Sequence, residues 1–311
     1  MRYSVDRLMR AALIVGCCCL FLLSCHEQEQ KIGTPHPKTS RPTYRIGLVP
    51  ELNIFAQKDR YAPLFAYLSD TLGVNFETVS LANYGESLNL LHYQKLDGAL
   101  VGSLTEAMAI KGFGAEPVVS LRYLGGAAAN NGIIFVRKES GIQSAEDMRG
   151  KRMVFVDPAT AAGYLIPRNF FQGLGIADYR KWFGEFYFSG SQEDAIRDVL
   201  DGQADIGAAE YNIFSMLSRK DPRIDKELKI FATLTDIPPC GLVLRKGIPS
   251  EFKDSLRREL LSLQKTAKGR SILAGLGLQG FVAATAQEYN PILDYAKNSQ
   301  VDLNNRKELN N

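Results

Sequence analysis

Asp157-Pro158-Ala159-Thr160-Ala161-Ala162-Gly163-Tyr164 follows the apolar run Met153–Val156 and precedes Leu165-Ile166-Pro167-Arg168. The pattern is a short buried strand, a tight turn of small residues and the start of a helix. A helix start leaves its first amide N–H groups without intrahelical acceptors. The partial positive charge collected there suits a small anion or polar head group. An ordinary strand-to-helix loop has the same composition, so the rest of the chain must decide between the two. Other chemistries have little to work with. Of the 3 histidines, His26 and His36 fall in a polar stretch, which leaves His92 alone for any metal site or Ser-His-Asp triad. His92 comes late in a helix and reads as a solvated or dipole-facing residue. There is no G-x-x-x-x-G-K-[ST], no G-x-G-x-x-G after a strand and no H-E-x-x-H. Cys240, between Pro239 and Gly241, has no histidine near it in sequence and reads as a structural or tolerated thiol. No enzyme activity, metal or cofactor is expected.

The elements that must position the turn sit in a chain of 311 residues, 45% hydrophobic and 23% charged, enough for two lobes of ordinary size. The net charge is +3, spread without a basic stripe or interleaved aromatics, so nucleic acid is not an expected partner. Arg2, Arg7 and Arg10 precede the apolar run Ala11–Leu23, whose last two residues begin the segment Leu22-Leu23-Ser24-Cys25. That run is about 13 residues against about 20 for a spanning helix, so it reads as a signal peptide with a lipobox. Residues 1–24 are expected to be removed and Cys25 to carry lipid. Cys17, Cys18 and Cys19 leave with the signal, so Cys240 is the one thiol remaining and no disulfide can form within the processed chain. Residues 25–43 are polar and carry Pro35, Pro37 and Pro42, which predicts a semi-stiff tether.

From Tyr44 onward strands and helices alternate. Tyr44–Val49, Val74–Val79, Asp97–Val101 and Glu116–Leu121 read as strands. Between them come helices through Leu64, Phe65 and Leu68, then Leu88 and Leu91, then Met108 and Ile110. Asn83 with Glu86, and Ser103 with Glu106, have capping-box spacing. The pattern restarts at Gly132–Arg137 and runs through strands at Met153–Val156, Phe183–Phe188, Ile206–Ala209 and Leu228–Thr233. A late strand, Gly241–Arg245, is followed by three helices. This predicts an α/β protein of two lobes, each a mostly parallel sheet flanked by helices. The expected boundaries are 44–136 with 238–311 for one lobe and 137–237 for the other, with Ile133–Arg137 and Gly241–Arg245 as the crossing strands. A ligand would sit beyond the strands' carboxyl ends, in the cleft between lobes.

Asp157–Pro167 resembles the D-P-x-S-T-S-G-Y-x-x-P segment of the phosphate/phosphite/phosphonate-binding proteins of ABC transporters. Tyr44–Pro50, Asn83-Tyr84, Asp97–Gly102, Ser140–Lys151, Phe188–Ser191, Asp205, Ile237-Pro238, Gly277–Phe281 and Tyr289 agree in order and spacing, so the resemblance spans roughly residues 44 to 295. It implies a type II periplasmic binding fold and an oxyanion held by turn hydroxyls and amides, with further groups from the opposite lobe. Carried over by position, Thr160, Ala161 and Ala162 occupy the three hydroxyl sites, and Gly163 and Tyr164 complete the turn. Two of the three hydroxyls are missing. The opposite walls are expected to offer Ser103, Thr105 and Glu106 in place of a proline and an aromatic, and Ser191 or Gln192 where relatives often carry histidine. Glu106 is either the capping partner of Ser103 or an acidic cleft residue. Glu210 either caps the next helix or faces the cleft. Two inward carboxylates would repel an oxyanion and favour a ligand bearing an amine.

The resemblance implies a monomeric, lipid-anchored receptor in the cell envelope that delivers a small solute to an ABC permease. The alternative is a sensor read by a membrane kinase. Both would use a ligand-driven shift between open and closed lobes.

Overall fold

The structure is a computed structural model that describes residues 41–126 and 130–298. The signal segment, Cys25 and nearly all of the tether lie outside the described residues. The chain enters at β1 (Thr43–Leu48) and continues through α1 (Ile54–Leu72), β2 (Asn75–Ser80), α2 (Tyr84–His92), β3 (Gly98–Val101), α3 (Ser103–Phe113) and β4 (Glu116–Tyr123). A second group follows: β5 (Gly132–Arg137), β6 (Arg152–Phe155), α4 (Ile166–Gly173), α5 (Tyr179–Trp182), β7 (Glu185–Phe188), α6 (Gln192–Leu200), β8 (Ile206–Glu210), α7 (Tyr211–Lys220), α8 (Arg223–Glu227) and β9 (Leu228–Leu234). The chain then returns with β10 (Gly241–Leu244), α9 (Ser250–Ser262), α10 (Ala267–Gly275), β11 (Leu278–Ala283) and α11 (Asn290–Asn298).

The first sheet has the order β11-β4-β10-β3-β1-β2 and the second β7-β6-β8-β5-β9. The βαβ units give parallel pairs, β1 with β2 and β3, and β6 with β7 and β8. β10 comes back from the second lobe and therefore enters the first sheet from the opposite direction. It lies antiparallel between β3 and β4 and keeps them apart. β5 is the mirror case: it arrives from the first lobe and runs antiparallel between β8 and β9. Neither strand crosses between sheets, contrary to the expectation for Ile133–Arg137 and Gly241–Arg245. The crossings are the segments just before them, and β5 as a whole belongs to the second sheet.

Local signals explain where the elements begin. α1 starts about two turns before its apolar stripe at Tyr61, Leu64, Phe65 and Leu68, because the Asn53 side chain accepts the Ala56 N–H at 3.0 Å. It ends at Gly73, whose φ of 66° is the left-handed cap a glycine adopts without strain. α2 has the expected cap: Asn83 Oδ1 accepts the Glu86 N–H at 2.8 Å, and Glu86 Oε2 accepts the Ala82 N–H at 2.6 Å. One face of the first sheet is buried under α1, α9 and α10 through Leu64, Leu68, Leu256, Leu260 and Leu273. The core beneath its other face, through Leu88, Leu104 and Ala109, is continuous with the core of the second lobe around Phe135, Phe155 and Ile206.

Candidate functional site

The turn after β6 is shaped by what lies under it. Val156 is fully buried and its N–H donates to Gly163 O at 3.1 Å, folding the turn back on the strand. A Cβ on Gly163 would lie 2.5 Å from Val156 Cβ and 2.8 Å from Thr160 Oγ1, so only glycine permits the fold-back. Residues Ala161–Leu165 form one wide turn in which Leu165 N–H reaches Thr160 O at 3.1 Å, before α4 begins. The amides of Ala161, Ala162 and Gly163 lie at the start of this turn, where no intrahelical acceptor exists for them. The one surviving hydroxyl is already engaged: Thr160 Oγ1 donates to Asp157 O at 2.6 Å. Tyr164 points away from the cleft, into an aromatic cluster with Phe155, Tyr179 and Phe188, and its hydroxyl pairs with that of Tyr179 at 3.1 Å.

Thr160, Ala161 and Ala162 form one wall of a cavity of about 10 Å³ whose other walls include Ser103, Tyr84, Glu210 and the Pro238-Pro239-Cys240 crossing. A volume of this size holds about one water, so any larger solute enters only when the lobes separate. Several hydrogen bonds hold them together. Asp157 Oδ2 accepts the Tyr84 N–H of α2 at 3.2 Å, while its Oδ1 takes the Ala159 N–H at 2.7 Å. Thr105 Oγ1 donates to Ala159 O at 3.0 Å. Glu193 Oε2 accepts the Asn53 N–H at 3.0 Å, and the Glu193 N–H donates to Glu51 O at 3.0 Å. Lobe-2 carboxylates thus meet the N-terminal ends of α1 and α2, where the helix dipole favours negative charge. Burial still pushes the Asp157 carboxyl up to about 6.

Glu210 is the carboxyl group of the cavity wall. It stands at the N-terminus of α7, but its side chain makes no cap, contrary to one of the two sequence readings. Gln192 holds it in place: Gln192 Oε1 accepts the Glu210 N–H at 2.9 Å, and Gln192 Nε2 lies 3.5 Å from Glu210 Oε1 and 3.4 Å from the Tyr84 hydroxyl. Cys240 Sγ is 3.7 Å from Glu210 Oε1. Burial, then the nearby Glu51 charge, pushes the Glu210 carboxyl up to about 8. Glu51 is itself buried and paired with Arg60, Oε2 to Nη1 at 3.1 Å. Two carboxylates therefore share one close guanidinium.

Glu106 takes neither role proposed for it. The N-cap of α3 is Gly102, with no side-chain bond, so Ser103 and Glu106 form no capping box. The carboxylate lies under the first lobe's inner wall. It is fully buried, has no cation beside it among the described residues, and the Tyr289 hydroxyl is its nearest hydrogen-bonding group. A Cβ on Gly241 would fall 2.4 Å from its Oε2, so Gly241 is the residue that makes room for it. Burial pushes the Glu106 carboxyl well up, and the Tyr289 hydroxyl offsets only part of this. Ser191 is spent locally as the N-cap of α6: its Oγ accepts the Asp194 N–H at 3.0 Å and donates to Asp194 Oδ2 at 2.7 Å. Sequence reasoning missed Glu51, Arg60 and Tyr123, which lie near Glu210, read Tyr61 as a core or cleft-wall aromatic, and set Cys240 aside. Their one signal was the resemblance at Tyr84, the first residue of α2, and at Ile237-Pro238, on a crossing, which marks neighbouring segments without naming these residues.

Two lobes closing on a strand-to-helix turn can be compared with known proteins. A family model described as ABC transporter, phosphonate, periplasmic substrate-binding protein matches residues 46–289. The chain belongs to this family. It is 21% identical over 272 residues to the phosphonates-binding periplasmic protein of Escherichia coli K12, covering 85% of this chain and 79% of that one. Among solved structures it resembles the binding component of an ABC phosphonate transporter from Pseudomonas aeruginosa, with a TM-score of 0.79 and 22% identity over 84% of this chain and 87% of the other. It also resembles PhnD1 of Prochlorococcus marinus in complex with methylphosphonate, with a TM-score of 0.76 and 19% identity over 84% and 99%. The fold is that of a type II periplasmic binding protein. The family's role is extracytoplasmic capture of solute for an ABC transporter, which is transport and not catalysis.

Proposed function

We propose that this protein is a lipid-anchored, monomeric receptor that captures a small amine-bearing oxyanion of phosphonate type between its lobes and delivers it to an ABC permease. Cys25 carries the lipid, and residues 25–43 tether the body to the membrane. The observation that carries the ligand reading is that Ala161, Ala162 and Glu210 line the same cavity. The turn offers backbone donors to an oxyanion but no free hydroxyl, which weakens a bare phosphonate by about 0.5–1.5 kcal/mol for each neutral bond lost. Glu210 lacks a cation of its own, and an ammonium beside it replaces the proton that burial otherwise holds there. Lobe closure around this pair would present one surface, built from both lobes, to the permease.

The test is calorimetric titration with 2-aminoethylphosphonate, methylphosphonate and inorganic phosphate. The amine-bearing compound is expected to bind at least about tenfold tighter than methylphosphonate, as an added charged hydrogen bond predicts. Glu210→Gln should erase the difference. Tight methylphosphonate binding that ignores Glu210→Gln refutes the amine reading.

A further inference from the structure

A second interlobe cavity, of about 40 Å³, lies on the other side of Tyr123 from the first. The first lobe supplies Arg60 and Tyr123, and the second supplies Tyr211, Asn212, Ser215 and Arg219. Measured in this way one water takes about 10–15 Å³, so the space matches about three waters, or a carboxylate. Its chemistry is opposite to that of the Glu210 side. The Arg60 side chain is only 9% exposed, and its Nη1 and Nη2 are taken by Glu51 Oε2 and Leu276 O, which leaves the buried Nε without an acceptor. Asn212 Nδ2 and the Tyr123 hydroxyl also line it, with the Glu210 carboxyl and the Cys240 thiol as their nearest polar neighbours. Arg219 Nη1 donates to Ser215 Oγ at 2.9 Å, and among the described residues Arg219 enters no ion pair. The lining holds two guanidinium groups and no carboxylate; Glu51 pairs with Arg60, and the Arg219 charge is left without a counterion in the pocket. Buried donors without acceptors are expensive to keep in an apolar site and are satisfied by an anion.

We infer that this pocket is a carboxylate subsite, and that the solute is an amino acid carrying a phosphonate. This rests on the reading of the cleft as a receptor site and extends it. The ammonium lies at Glu210, the phosphonate at the amides of Ala161–Gly163, and the carboxylate beyond Tyr123, between Arg60 and Arg219. A solute reaching all three points needs more room between the lobes than the cavity of about 10 Å³ offers, so it enters with the lobes apart.

The pair 2-amino-3-phosphonopropanoate and 2-aminoethylphosphonate differs by a single carboxylate and tests the inference directly. Calorimetry with the full chain is expected to show the carboxylated compound binding about tenfold tighter, the size of one charged hydrogen bond. Arg219→Gln, at an exposed position, should erase that preference and leave 2-aminoethylphosphonate within about twofold of its original affinity. Tyr123→Phe should reduce the preference in the same direction. Equal affinity of the wild type for both compounds overturns the subsite, as does a preference that survives Arg219→Gln. If 2-aminoethylphosphonate binds and the carboxylated compound does not, the receptor reading stands and the subsite falls. If neither binds, both fall.

Discussion

Replacing Glu210 with glutamine should stabilise the protein, and the gain should depend on pH. Glutamine keeps the size of the side chain and its place beside Gln192 and Cys240, but removes the charge. In the native protein burial and Glu51 raise the Glu210 carboxyl from an ordinary 4.5 to about 8. Between those values the native state holds a proton that the unfolded chain releases. Its contribution is therefore fully present below pH 4.5 and is lost as pH rises through 8. Each unit of pH above 4.5 costs the wild type about 1.4 kcal/mol, which reaches about 3 kcal/mol at pH 7. Glu210→Gln carries no such cost. Urea denaturation of both proteins from pH 4.5 to 8.5 should give equal stabilities at the acid end and a difference of about 2–3 kcal/mol near neutrality, with unchanged m-values. Asp157 and Glu51 are present in both proteins, so their own titrations largely cancel. A difference that stays constant with pH, or a wild type that gains on the variant as pH rises, would refute the argument that Glu210 is buried without a cation of its own.

Three further outcomes test other parts of the structure. Gly163→Ala drives a methyl into Val156 and the Thr160 hydroxyl, and should cost about 1–3 kcal/mol in chemical denaturation through overpacking. Glu106→Met replaces a fully buried carboxyl that has no cationic partner by an apolar chain of similar volume, and should raise stability by about 1–3 kcal/mol at pH 7 in the same measurement. Asp157→Asn can accept only one of the two N–H groups from Ala159 and Tyr84. It should weaken closure by about 1–2 kcal/mol, visible as a larger radius of gyration in X-ray scattering at neutral pH.

Much of the architecture is legible along the chain, because strand and helix periods and caps are local. Asn83 with Glu86 fixes the start of α2, and the alternation of elements fixes the parallel pairs β1–β2, β1–β3, β6–β7 and β6–β8. The same spacing misleads at Ser103 and Glu106. A capping box needs its glutamate at the surface beside the helix end, and packing buries Glu106 under Gly241 instead. The crossings were misplaced for a similar reason. Strands β5 and β10 read as continuous apolar runs because they are central in their sheets, and nothing local tells a central strand from a bridging one.

The sequence by itself determined the two-lobed α/β plan and the position of the strand-to-helix turn, along with the loss of two hydroxyls there. Each follows from residue type and short-range spacing. Only the tertiary structure decided the electrostatics of the cleft. Glu51, Arg60, Tyr123, Glu210 and Cys240 are far apart in the chain and meet because strand ends and loops of both lobes converge on one cleft. Charge pairing and desolvation depend on distance in space, so which carboxylate keeps a cation and which keeps a proton cannot be read from the order of residues.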